Sequence, residues 1–289
     1  MSLVVFCADK GSPGVTTTAL ALAATWPRPV GLAELDPSGG DLALRLTDPA
    51  GRHALAARPN LLTWAAAVRM APAPRLLWKH CQSAAGGLAV LPGLAGAEQA
   101  AGLNTLWPEL AAALRSTTGR DVLADLGRLL PDSPALPVVY AADLAVVVTA
   151  ATLEGLVHTR DRIAGLISNR PAFGGPSVAV VVVGRDRGGP AAVEAVRAVL
   201  DRDGLPARVA GLLAIDAKAV AAMYRGDRSA RFGLSLLART ARQVGSVLAT
   251  GLPALPPGAD AASGAAATPA RPTRRLAVAR RPAKVGARR

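Results

Sequence analysis

The sequence predicts a doubly wound α/β fold with a mostly parallel sheet, and three observations carry that expectation. Short β-branched runs alternate with Ala- and Leu-rich stretches of helical length, the pattern of successive βαβ units. The strand-like runs are continuously apolar, as strands covered by helices on both faces must be. A glycine-containing turn follows the first of them and leads into a helix.

In chain order, strands are expected at residues 3–7, 30–35, 88–91, 121–125, 144–149, 178–183 and 209–213. Helices are expected between them, at 17–25, 153–167, 191–201 and 234–248. In the second, Leu153, Leu156, Ile163 and Ile167 follow helical spacing, with Arg160 as the polar interruption. No internal repeat is present. The pattern stops after Thr250, so residues 1–250 are read as one domain. Residues 251–289 are read as a disordered basic arm rich in Pro, Ala and Arg.

Composition narrows the class. Of 289 residues 51% are hydrophobic but only 3% aromatic, so a sizeable core must be built from Ala, Leu and Val. The two cysteines, Cys7 and Cys81, offer no disulfide framework and fit a reducing cytoplasm. The apolar run at 3–7 is too short for a leader core, and no stretch approaches the ~20 apolar residues needed to span a bilayer. From Gly251 onward there are eight Lys/Arg and one acid, Asp260, which is +7 of the total +13. Such an arm can hold polyanions such as DNA, or an anionic surface, or serve only as a solubilising tail.

The strongest chemical signal is Lys10-Gly11-Ser12-Pro13-Gly14-Val15-Thr16-Thr17-Thr18. A strand, a glycine turn and a helix in that order form an anion cradle from backbone N–H groups and the helix N-terminus. Thr16 is placed to offer a hydroxyl to Mg²⁺, and Thr17 one to a phosphate. The same turn could bind nothing. A dinucleotide site is excluded because the G-x-G-x-x-G spacing is absent.

This loop resembles that of the ParA/MinD-type deviant-Walker ATPases, of the SIMIBI class of P-loop NTPases, which reads Lys-Gly-Gly-x-Gly-Lys-Thr-Thr. Lys10, Gly11, Gly14, Thr16 and Thr17 match; Ser12 replaces a glycine. Val15 stands where the phosphate-neutralising lysine is expected. Glu34-Leu35-Asp36-Pro37-Ser38-Gly39 resembles the family's Asp-x-Asp-Pro segment, with Glu34 replacing the first acid; as a bare sequence it is also a turn. Asp125 matches the Walker B carboxylate, although Leu126-Gly127-Arg128 replaces the small residues and prolines that usually follow. Asp143 and Asp216 then arrive in family order. Arg185 sits where a base-contacting asparagine often stands. Residues 40–44 and 88–92 are similar to the CpaE-like, pilus-assembly branch, without its receiver-like N-terminal domain.

The resemblance implies ATP and Mg²⁺ as cofactors. Lys10 would act across a nucleotide-sandwich homodimer and Asp36 would position the attacking water. Thr16, Asp36 and Asp125 would hold the metal, some through water. It also implies a partner protein and a place on the nucleoid or peripherally at the inner face of the membrane. Because of Val15 the expected activity is a weak ATPase, with a nonhydrolytic scaffold as the alternative. Other chemistries find no support. His80-Cys81 lacks a second metal-ligand pair, no Ser-His-Asp or Cys-His arrangement occurs, and His53 and His158 read as surface residues. Trp64, Trp78 and Trp107 read as packing residues.

Overall fold

The computed structural model describes residues 1–172, 174–227 and 229–253. Most of the expected basic arm, from residue 254 onward, lies outside the described residues. The strands are β1 (Leu3–Ala8), β2 (Val30–Glu34), β3 (Gln82–Ser83), β4 (Ala89–Leu91), β5 (Asp121–Arg128), β6 (Leu144–Ala150), β7 (Ser177–Gly184) and β8 (Ala207–Ala214). They form one sheet in the order β3-β4-β2-β5-β1-β6-β7-β8. Every neighbouring pair is parallel except the β3–β4 edge.

Alternation along each strand sends side chains to two separate cores. In β1, Leu3, Val5 and Cys7 enter one core, while Val4, Phe6 and Ala8 enter the other. The first core is closed by α3 (Leu61–Met70), α4 (Leu76–His80), α5 (Trp107–Ser116), α6 (Leu136–Ala141), α7 (Leu153–Ser168) and α8 (Gly189–Arg202). The second is closed by α1 (Val15–Thr25), α2 (Leu42–Arg45), α9 (Ala217–Tyr224), α10 (Ala230–Gly233) and α11 (Leu236–Ala249). Trp64 and Trp107 are fully buried in the first core, which fits their reading as packing residues.

Several helix starts follow from local chemistry. Asn60 and Thr63 form a reciprocal capping box at α3, and Thr152, Asp216, Ser229 and Ser235 each accept a first-turn N–H. The Ser235 cap explains why α11 begins at Leu236 and not at the expected 234. Two further differences matter. The antiparallel edge strand β3, only two residues long, carries no periodicity to read. Strand β5 continues three residues beyond Asp125, so that carboxylate lies within the strand and not at its end.

Among the described residues no helix is long and apolar enough to cross a membrane. Helix α11 is followed by Gly251, Leu252 and Pro253, and the Pro253 carbonyl accepts from Arg28 Nη1 at 2.7 Å. Pro253 therefore lies at the end of the sheet where the central strands β1 and β5 begin.

Candidate functional site

Strand order reverses beside β1, since β2 and β5 lie on one side and β6 to β8 on the other. Such a reversal leaves a crevice beyond the carboxyl ends of the strands. Phe6 and Glu34 both pair with Asp125, which places the ends of β1, β2 and β5 side by side.

From β1 the chain enters the glycine turn. Gly11, Ser12 and Gly14 have φ of 84°, 43° and 89°, all in the left-handed region. That path turns successive backbone N–H groups toward one concavity. Ser12 holds it at a steric cost, which is the physical reason a glycine suits the position better. Helix α1 has no acidic residue in its first turn, so its N-terminal field is uncompensated and available to an anion. Lys10 is exposed and Pro13 is half-buried. Val15 is only 6% exposed and packs into the second core, so it offers the cradle neither charge nor a polar group.

The carboxylates gather beside the cradle. Asp125 is fully buried; its Oδ1 accepts from Gly127 N–H at 3.0 Å, and the nearby Thr16 hydroxyl favours its charged form. Its Oδ2 is buried without a hydrogen-bond partner among the described residues. A buried unpaired carboxylate oxygen is costly, and a cation or water is the partner that would satisfy it. Burial, above all, pushes Asp125 up to about 6, with the Asp36 charge adding to it and the Thr16 hydroxyl and the Gly127 bond opposing it.

Asp36 opens a turn in which its Oδ1 accepts from Ser38 N–H at 2.7 Å and its carbonyl from Gly39 N–H at 3.1 Å. The turn reading and the switch reading of this segment are thus compatible. Burial raises the Asp36 carboxyl, and the Ser38 bonds partly offset this. At Gly127, with φ of 57°, an added Cβ would lie 1.7 Å from Asp36 Oδ2. Only glycine lets the two segments touch.

These observations test the fit of a Mg²⁺-nucleotide. A cradle of N–H groups, a hydroxyl, and a buried carboxylate with an unpaired oxygen form a suitable donor set for a hard cation beside phosphate. Thr16, Asp36 and Asp125 are together. The residues thus fit the group, except for the charge missing at Val15.

Three features were not anticipated from the sequence. Glu34, 2% exposed, accepts from Asp41 and Leu42 N–H at 2.9 and 3.0 Å and from Gly93 N–H at 2.8 Å. It staples the Asp36 segment to the end of β4, and burial pushes it up to about 7 against those three bonds. Asp9 is ion-paired with Arg162 of α7 and lies 3.6 Å from His158 Nδ1, which ties the loop to α7. The Thr17 hydroxyl sits 3.4 Å from Tyr224 Oη, which Arg45 Nη1 approaches at 3.5 Å. Neither charge nor spacing along the chain signals these pairings, which span up to 207 residues.

Of the two later acids, Asp143 lies at the far end of the sheet from the loop and Asp216 follows the carboxyl end of β8, the end at which the loop lies. Asp143 accepts from Leu3 N–H at 2.8 Å at the start of β1, the opposite end of the sheet. Asp216 caps α9, with Ile215 exposed beside the end of β7.

No family model matches the sequence, and neither does any curated protein. Solved structures do match in shape. A ParA family ATPase from Chlorobium tepidum has a TM-score of 0.61 at 17% identity, over 86% of this chain and 97% of that one. The septum site-determining protein MinD from Pyrococcus horikoshii, solved with Mg-ADP, has a TM-score of 0.62 at 17% identity, over 86% and 95%. A McdA variant from Cyanothece, solved with ATP, has a TM-score of 0.62 at 17% identity, over 88% and 98%. The architecture of this chain is that of the ParA/MinD-type P-loop ATPases.

Proposed function

We propose that the chain is an ATP-binding, weakly hydrolysing dimeric switch used in spatial organisation, such as partition, septum placement or pilus assembly. The observation that carries this reading is the unpaired, fully buried Asp125 Oδ2 beside the Thr16 hydroxyl at the foot of the cradle. Structural neighbours named for cell division and partition-type ATPases support the general role, two of them solved with nucleotide. Magnesium, when bound, neutralises phosphate charge. Thr16 and Asp125 hold its shell, Asp36 orients water, and Lys10, exposed at the loop, serves the phosphates of the facing subunit. The Asp36 turn and Gly127 are the segments positioned to respond to a terminal phosphate.

Calorimetry with Mg·ATP, and light scattering with a nonhydrolysable analogue, test this directly. Binding in the micromolar to millimolar range and ATP-dependent dimerisation are expected. Absence of binding at millimolar Mg·ATP would leave the second reading, a nonhydrolytic scaffold that works through a protein partner. Burial of Val15 is the specific observation favouring that reading.

The basic arm is assigned a role in polyanion contact, placing the switch on the nucleoid or at an anionic membrane surface in the cytoplasm. Deleting residues 254–289 is expected to reduce retention on DNA at low salt and to flatten its salt dependence. Equal retention with and without the arm would assign it to solubility alone.

A further inference from the structure

Two departures from the family pattern remain: a cation is missing at Val15, and an arginine has appeared at position 128, where small residues or prolines are usual. The structure brings them to the same loop. In the β1–β5 pairing Ala8 is opposite Arg128, and Leu129 N–H donates to the Ala8 carbonyl at 2.8 Å. Arg128 therefore leaves β5 alongside the first residues of the glycine turn. Its Nε donates to the Asp9 carbonyl at 3.0 Å, immediately before Lys10 and Gly11. Arg128 thus lies beside the loop and next in sequence to Gly127, which bonds to Asp125 and touches Asp36.

Among the described residues its charge also has no ion-pair partner. Three arginines contact the loop or its helix, directly or through one side chain. Arg162 is ion-paired with Asp9. Arg45 is paired with Asp41 at 3.0 Å and lies over the Tyr224 ring. Arg128 alone of the three faces no carboxylate, is exposed, and has no partner for its two terminal nitrogens among the described residues. A guanidinium held by Nε, with both terminal nitrogens unengaged, presents the fork that binds phosphate oxygens in pairs.

We propose that Arg128 is a phosphate-binding cation of this site, supplying from the end of β5 the charge that Val15 cannot supply from the start of α1. The inference rests on the nucleotide-binding reading above and adds to it which residue compensates for the missing lysine. The sequence change and its remedy lie on adjacent elements of the same subunit, so the compensation does not depend on dimerisation. In this it differs from the role given to Lys10.

The test compares wild type, Arg128→Gln and Arg128→Lys by calorimetry, with Mg·ATP and with inorganic triphosphate as probes. Arg128→Gln is expected to weaken both probes about tenfold to hundredfold, the loss of one charge-assisted contact. Arg128→Lys, which keeps the charge without the fork, is expected to fall between them. The melting temperature of the nucleotide-free protein should be unchanged in both variants, because the position is exposed. Wild-type affinity in Arg128→Gln, or a loss confined to ATP with triphosphate binding intact, would overturn the inference while leaving the nucleotide-binding reading in place. A lowered melting temperature without nucleotide that accompanies the loss would make Arg128 a structural tie to Asp9 and overturn it equally. Failure of the wild type to bind either probe would remove the nucleotide-binding reading itself, and this inference with it.

Discussion

Asp125→Asn is expected to abolish the Mg²⁺ dependence of nucleotide binding and to weaken Mg·ATP by about tenfold to hundredfold, the usual cost of losing a carboxylate that orients a metal shell. The substitution is nearly isosteric and keeps an oxygen for the Gly127 N–H, so the fold should survive. The pH dependence gives a second reading of the same group. Its folded-state value, raised from 3.8 to about 6, means the native chain holds a proton that the unfolded chain has already released. The stability from this group is therefore complete below about 3.8 and is lost as pH rises through about 6. Metal binding needs the carboxylate, so Mg·ATP affinity should change in the opposite sense and rise across that window. Calorimetry between pH 5 and 8 checks this: Asp125→Asn should flatten both trends. A wild-type affinity that is independent of pH and of Mg²⁺ would separate Asp125 from the metal.

Much of the fold was legible because its elements are long and repetitive. Seven continuous apolar runs fell on seven of the eight strands, and the four named helices all exist with bounds shifted by a few residues. The missed strand, Gln82–Ser83, is too short for a period and is placed by β4. The site was legible where it is local. The glycine turn, Asp36 and Asp125 each follow a strand or lie within one, and strand order brings their ends together. What could not be read is what depends on distant pairing. Nothing near Glu34 in sequence announces that it receives three N–H groups from residues 41, 42 and 93. Nothing near Asp9 announces Arg162, and Arg128 acquires meaning only once β5 is known to lie beside β1. Where a side chain points is set by the sheet, and the sheet order is not written in any one segment.

Val15→Lys is expected to produce two opposed effects of comparable size. Valine at this position is 6% exposed and packs against the second core, so a lysine must either crowd that core or turn its stem outward to keep the ammonium in water. Crowding of this kind costs about 1–3 kcal/mol, which lowers the melting temperature of the nucleotide-free protein by several degrees for a domain of this size. With nucleotide present the ammonium gains phosphate as a partner. A charge-assisted contact contributes ~1.5–3 kcal/mol, so Mg·ATP affinity should rise by about one to two orders of magnitude. Thermal melts with and without Mg·ATP resolve the two effects in one series: the variant should melt below wild type when empty and gain more than wild type when nucleotide is added. A variant that loses stability and gains no affinity would show that the space above Val15 has closed. If the wild type also binds no Mg·ATP, the loop is a structural turn and the chain acts as a scaffold.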